Sequence, residues 1–156
     1  MGGERYPLSV LMVRTPVGGR WGGVRWEARA VIDAGARGDE GVLTLFDGDA
    51  ELQRLHPGHW LELRRDEAQG YYLNCSAPNP SVFVMWRLRE EEAVPVLLSA
   101  SYDEAARWLD AGEQVDAVAM PAPLREAVVR FAAEHYRPAP KRARKRDRRA
   151  VDVPKP

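Results

Sequence analysis

Apolar residues recur at every second position through most of the first hundred residues, and the period changes at Ser101. Successive side chains alternate faces along a strand and sweep around the axis of a helix, so period two signals strands and a period near 3.6 signals amphipathic helices. A run of strands followed by helices is the order of an α+β domain rather than of alternating βαβ units. The expected architecture is an antiparallel six- to seven-stranded sheet or partly closed barrel followed by two C-terminal helices that pack on a face or plug an end. The length of 156 residues suits one domain. The expected division is a single globular domain over 1–140 and a disordered basic tail over 141–156.

The strand segments are Tyr6–Val13, Val24–Asp33, Val42–Phe46, Trp60–Arg64, Tyr71–Cys75, Ser81–Glu90 and Val94–Ala100. Val24–Asp33 is the cleanest. Val24, Trp26, Ala28, Ala30 and Ile32 alternate with Arg25, Glu27, Arg29 and Asp33, and only Val31 breaks the polar side. Ser81–Glu90 is apolar on both sides over half its length, which places it centrally. Thr15–Gly23 reads as a glycine-rich hairpin loop. It lacks the Gly-Lys-Ser/Thr and GxGxxG orders of phosphate loops, and a strand rather than a helix follows it. Ala50–Leu55 fits one helical turn or a loop, and His56-Pro57-Gly58-His59 fits a turn. Asp66–Gly70 fits a hairpin turn, and Ser76–Pro80 a two-proline corner between the strands Tyr71–Cys75 and Ser81–Glu90. Ser101 and Glu104 form a capping box for a helix over Tyr102–Ala111, which Gly112 ends. Glu113–Met120 fits an extended connection or a short strand. Pro121 and Pro123 open a last helix, in which Leu124, Ala127, Val128, Phe131 and His135 form one stripe.

Several functions lose support from the same text. No apolar run approaches the roughly 20 residues a membrane helix needs, and Leu8–Val13 is too short for a signal-peptide core. Cys75 is the only cysteine, so it forms no internal disulfide and reads as a small buried thiol. These features predict a cytoplasmic protein without a membrane span. His56 and His59 have HxxH spacing but no third ligand nearby in sequence, so no metal site is assigned. No GxSxG, SxxK or histidine triad context is present, and the acidic pairs Asp66/Glu67 and Asp103/Glu104 are adjacent rather than convergent. The expectation is a non-enzyme with no catalytic residue, metal or cofactor.

The candidate binding residues lie elsewhere. Residues 141–156 hold 8 Lys and Arg against 2 acids, a charge of +6; because the chain totals are 23 and 23, residues 1–140 carry −6. Lys141, Arg142, Arg144, Lys145, Arg146, Arg148 and Arg149 fall within nine positions, a run suited to nucleic-acid phosphates or an acidic protein surface. Trp26, Trp86 and Trp108 fall on predicted core faces. Trp21 and Trp60 do not, and with Arg25 and Arg29 they are predicted to mark a partner-binding patch.

The blocks YPLSVLMVRTPVGGRWGGVRWEARAVI, LELRRDEAQGYYLNCSAPNPSVFVMWR, SYDEAARWLDAGEQVDAVAMP and FAAEHYRP, followed by a basic tail, resemble the proteobacterial family known as domain of unknown function 3305. The resemblance runs from about Tyr6 to the basic tail; Gln69 stands where a glutamate is expected. The family has no established activity, so it lends no catalytic residues. Such proteins are often encoded near molybdenum-dependent formate dehydrogenases and their maturation factors. The resemblance therefore implies an accessory protein, with formate dehydrogenase or its maturation factors as the expected partner. The alternative is a nucleic-acid-associated protein that binds through its basic tail.

Overall fold

The computed structural model describes residues 4–20, 22–33 and 41–138. The elements in chain order are β1 (Glu4–Pro16), β2 (Val24–Asp33), β3 (Leu43–Asp47), β4 (Leu52–Leu63), a 3-10 turn (Arg65–Glu67), α1 (Ala68–Cys75), β5 (Ser81–Arg89), β6 (Glu92–Ser99), α2 (Tyr102–Asp110), β7 (Gln114–Ala119) and α3 (Ala122–His135). The class is α+β, as the periodicity predicts. The arrangement is two antiparallel sheets, β2-β1-β4-β3 and β6-β5-β7, rather than one sheet or a closed barrel. β5 is the central strand of its sheet.

The inner faces of the two sheets share one core. Leu8, Val10, Met12, Trp26, Ala28, Val31, Leu52, Leu61 and Leu63 come from the first sheet, and Val82, Val84, Trp86, Ala93, Leu98 and Val118 from the second. Burying each large aliphatic side chain contributes about 1.5–3 kcal/mol. β2 lies beside β7 and β4 beside β6, but no backbone ladder joins either pair among the described residues. A side chain stands in the place a ladder would take. The amide of Ala28 donates to Asp116 Oδ2 at 2.8 Å, and the Trp86 indole donates to the same oxygen at 2.9 Å. Across the other seam, Arg54 Nε lies 2.8 Å from Glu92 Oε2.

Helix α2 links β6 to β7 across β5 and packs over the outer face of that sheet. Helix α3 adds Leu124, Val128, Phe131 and Ala132 to the core and packs on α1, where Tyr71 and Phe131 meet edge to face with centroids 5.8 Å apart.

Several local expectations change. Ala50–Leu55, expected as a helical turn or a loop, runs from Leu52 into strand β4, and Asp66–Gly70, expected as a hairpin turn, is the 3-10 turn leading into α1. Tyr71–Cys75 is helical. Its buried positions are Ala68, Gly70, Tyr71 and Asn74, a helical spacing that the β-favouring tyrosines obscure. His56-Pro57-Gly58-His59 is a bulge inside one long strand β4. The partners of Leu8 and Val10 are His59 and His56, so β4 carries an extra residue there. Gly58 at φ +84° accommodates it, and a bulge is one of the few places a sheet admits proline. In β2, Leu11 faces Ala30 and Met12 faces Ala28, leaving Arg29 as the extra residue. The bulge shifts the phase, so Val31 turns inward (6% exposed) and Ile32 outward (43%). Finally, Ser101 caps α2 through the Glu104 amide at 3.0 Å, but the Glu104 carboxylate does not reach back to Ser101. It binds the Ser99 hydroxyl and Arg64 instead. The ambiguous stretch Glu113–Met120 contains a true strand, β7.

Candidate functional site

Trp60 lies on the outer face of the four-stranded sheet, opposite Pro7 of β1. Its ring is stacked by the Arg5 guanidinium at 4.1 Å from the centroid, a contact that adds about 0.5–1 kcal/mol at an exposed site. Arg25 lies opposite Thr15 at the far end of β1. From Pro7 to Thr15 the strand runs about 26 Å at about 3.3 Å per residue, so Trp60 and Arg25 do not share one patch. Arg25 and Arg29 both approach Glu27, at 3.8 and 3.1 Å, and Arg29 also lies 3.8 Å from Glu51. Trp21, Lys141, Arg142, Arg144, Lys145, Arg146, Arg148 and Arg149 lie outside the described residues.

The register shows what sequence reading missed around Trp60. Pro7, Leu11 and Val13 of β1, Ala30 and Ile32 of β2, Leu43 and Phe46 of β3, and Leu55 of β4 share its side of the sheet. Val13 and Leu55 in the middle strands are buried, whereas Ile32, Phe46 and Trp60 are 43, 52 and 46% exposed. Antiparallel sheets with one solvated face are normally polar on that face; here an apolar band crosses all four strands, flanked on the same side by Arg5, Glu27, Gln53 and Glu62. Among the described residues, no helix packs over it. The signal was present in the two-sided apolar text of Leu8–Val13, but the Arg29 bulge concealed the contribution of Ile32.

A second cluster is polar and buried. The Ser101 hydroxyl accepts from the Glu104 amide and donates to Glu67 Oε1 at 2.6 Å, and the other Glu67 oxygen pairs with Arg107. The Ser101 amide donates to Ser99 Oγ, the Ser99 hydroxyl donates to Glu104 Oε1, and Arg64 pairs with Glu104 Oε2 at 3.0 Å. Asn74 donates to the Ser81 and Ala100 carbonyls and accepts from the Ser81 amide. The Tyr71 hydroxyl accepts from the Arg64 amide at 2.8 Å. Ser101 is fully buried, and both glutamates are held by arginine and serine, so this network docks α1 and α2 onto the second sheet. Gly70 permits that docking: a Cβ there would sit 2.0 Å from Ser101 Oγ.

His56 and His59 both turn inward from β4. Burial, then the nearby His59 and Arg54, push the His56 pKa down to about 4, and burial also lowers that of His59. Both imidazoles are therefore neutral near pH 7, the form a metal prefers. Among the described residues, however, no group of three His, Cys, Asp or Glu gathers. Burial raises the pKa of the Cys75 thiol, against a smaller opposing effect of Arg125, so it is not activated as a nucleophile.

An open groove of about 360 Å³ lies between the C-terminal end of α1, the Ser76–Pro80 corner, β5 and the start of α2. Leu73, Ala77, Phe83 and Tyr102 give it an apolar wall, and Asn74, Asn79 and Ser81 complete it. The Phe83 and Tyr102 rings meet edge to face with centroids 6.4 Å apart.

The family description "Protein of unknown function (DUF3305)" matches residues 7–146. The chain belongs to this family. No curated protein and no solved structure matches it. Two of the text blocks that carry the family resemblance, through Gly70–Asn74 and Ala77–Phe83 in one and Ser101–Glu104 in the other, converge on the buried network and the groove beside it. Within this DUF3305 chain, Gly70, Asn74 and Ser101 thus have a packing role that their sequence context alone did not reveal.

Proposed function

We propose that this chain is a non-catalytic accessory protein that binds a partner protein through the outer face of the β2-β1-β4-β3 sheet. The expected partner is a subunit or maturation factor of a molybdenum-dependent formate dehydrogenase. The observation that carries the binding surface is Trp60, half exposed and stacked by Arg5 beside an apolar band that crosses four strands of the sheet. Protein interfaces are enriched in tryptophan and arginine, and a contiguous exposed apolar face on a single chain marks a contact site. The family resemblance supports the identity of the partner.

The test is affinity capture from the native host with the wild-type chain and with Trp60→Ala and Phe46→Ser. Capture of formate dehydrogenase subunits or maturation factors by the wild type, reduced at least tenfold by either substitution, supports the reading. Capture of none of them, or capture indifferent to both substitutions, overturns it. The basic run Lys141–Arg149 favours a second reading, nucleic-acid binding, because so dense a cationic segment binds phosphates without sequence preference. Mobility shift at low and moderate salt separates the two, since phosphate-driven binding weakens steeply with salt.

A further inference from the structure

We infer that the inner face of the four-stranded sheet, beside Arg14, holds a binding site for a small organic monocarboxylate, with the Arg14 guanidinium and the Trp26 indole N–H as its donors. The site lies on the side of the sheet opposite Trp60, and the inference is independent of the partner-binding reading above.

The strand register brings the donors together. Residues directly opposite one another share a face of a sheet. Arg14 stands opposite Trp26 of β2 on one side and Leu52 of β4 on the other, and both of those side chains belong to the core. Arg14 therefore points inward. Two residues earlier on β1, Met12 is also core, and Arg54 of β4 stands opposite it. Arg54 is inward as well. Trp26, Arg14 and Arg54 thus occupy three neighbouring strands of one inner face, with Arg14 on the middle strand. The Arg14 guanidinium lies over the Trp26 ring, 5.8 Å from its centroid. Trp26 is 8% exposed, whereas Arg14 and Arg54 are each partly exposed. The place is lined by core residues yet open to small solutes.

Its donors exceed the acceptors that the fold supplies. Among the described residues, the buried side-chain nitrogens and oxygens without a hydrogen bond are Trp26 Nε1 and Arg54 Nε, and both belong to this face. Buried polar groups are nearly always partnered, so an orphan donor calls for an acceptor. Two carboxylates lie in the neighbourhood, and both are committed. Glu92 answers the charge of Arg54 at 2.8 Å. Asp116 Oδ2 accepts from the Ala28 amide and from the Trp86 indole. Among the described residues, Arg14 meets the Trp26 ring and pairs with no carboxylate. A partly buried guanidinium beside a core gains most from a counter-charge that is also hydrogen-bonded.

The unanswered groups define the ligand. One guanidinium lacks an anion, so the complement carries a single negative charge. A carboxylate offers two coplanar oxygens, which suit a guanidinium N–H and a neighbouring indole N–H. A phosphate dianion would set a second negative charge toward Glu92. Leu52 and the Trp26 ring are apolar and suit the hydrocarbon end of an organic acid.

The test uses the full chain, titrated with sodium acetate in exchange for sodium chloride at constant ionic strength. The Trp26 indole N–H resonance is followed, with that of Trp108 as internal reference. A saturable downfield shift of Trp26 alone is expected. Arg14→Gln is expected to weaken acetate binding roughly tenfold or more, and Arg14→Lys, which keeps the charge, to weaken it less. The absence of a saturable shift in the wild type overturns the proposal, leaving the Arg14 stack a structural contact only; this arm decides even where a variant fails to fold. Equal affinity in wild type and Arg14→Gln overturns it too, as does equal weakening by Gln and Lys, since charge would then play no part. Inorganic phosphate that shifts the same resonance at lower concentration than acetate overturns the carboxylate assignment.

Discussion

The outer faces of the two sheets differ in what they bury. On the β6-β5-β7 sheet, Met85 is buried on the outer side because α2 crosses there. On the β2-β1-β4-β3 sheet, Ile32, Phe46 and Trp60 occupy the corresponding side, and among the described residues no helix packs above them. Both faces carry apolar residues, so apolar content alone does not say which is core. What separates them is a covering element, and α2 is held in place by polar groups: Ser101, Glu67, Glu104 and two arginines. A helix docked through buried hydrogen bonds cannot slide to another sheet, because leaving any of these groups unpaired costs about 1–3 kcal/mol.

The contrast can be broken most strongly at Gly70. Gly70→Ala places a Cβ against Ser101 Oγ and forces α1 away from the cap of α2; a loss of about 3 kcal/mol or more is expected in denaturant melts. An unchanged midpoint would show that the helices dock otherwise. Met85→Ala, on the covered face, is expected to cost about 2–4 kcal/mol by removing a buried side chain. Phe46→Ser and Ile32→Ser, on the uncovered face, are expected to cost less than about 1 kcal/mol. Equal losses on the two faces would mean that both are core.

Acid probes what the two sheets share. The His56 pKa is depressed in the fold to about 4 from an ordinary value of 6.5. The folded chain therefore keeps His56 neutral while the unfolded chain protonates it. Its contribution is full above pH 6.5 and is lost progressively as pH falls toward 4, on the order of 2 kcal/mol. His56→Leu should flatten that acid limb in pH-dependent melts. The smallest effect is expected at Arg5→Ala, which removes the stack on Trp60 and costs about 0.5 kcal/mol. Its readout is a change in Trp60 fluorescence.

Much of this was legible in the text, for reasons that differ by segment. The alternation of β2, the apolar run of β5, the Ser101 cap and the stripe of α3 each state a local preference that the fold keeps. Helix α1 was not legible as a helix, because Tyr71 and Tyr72 favour strands locally and the reason for helix lies in Gly70 and Asn74 meeting residues 26 or more positions later. The HPGH stretch looked like a turn because proline and glycine punctuate turns and bulges alike. Of the candidate site, Trp60 was found as an exposed tryptophan, but its apolar neighbours came from three other strands and needed the register to be seen.

The bulge at Arg29 carries a consequence for comparing relatives of this chain. Every cross-strand pair between β1 and β2 is already set as though Arg29 were skipped: Ala28 with Met12 and Ala30 with Leu11. A relative lacking that one codon would keep each pair, keep Val31 inside and Ile32 outside, and lose only the local bend. A one-residue gap there would leave the three-dimensional reading frame intact, while a one-residue insertion or loss in the middle of β5, which pairs on both sides, would put Val84 and Trp86 on the wrong side of the sheet.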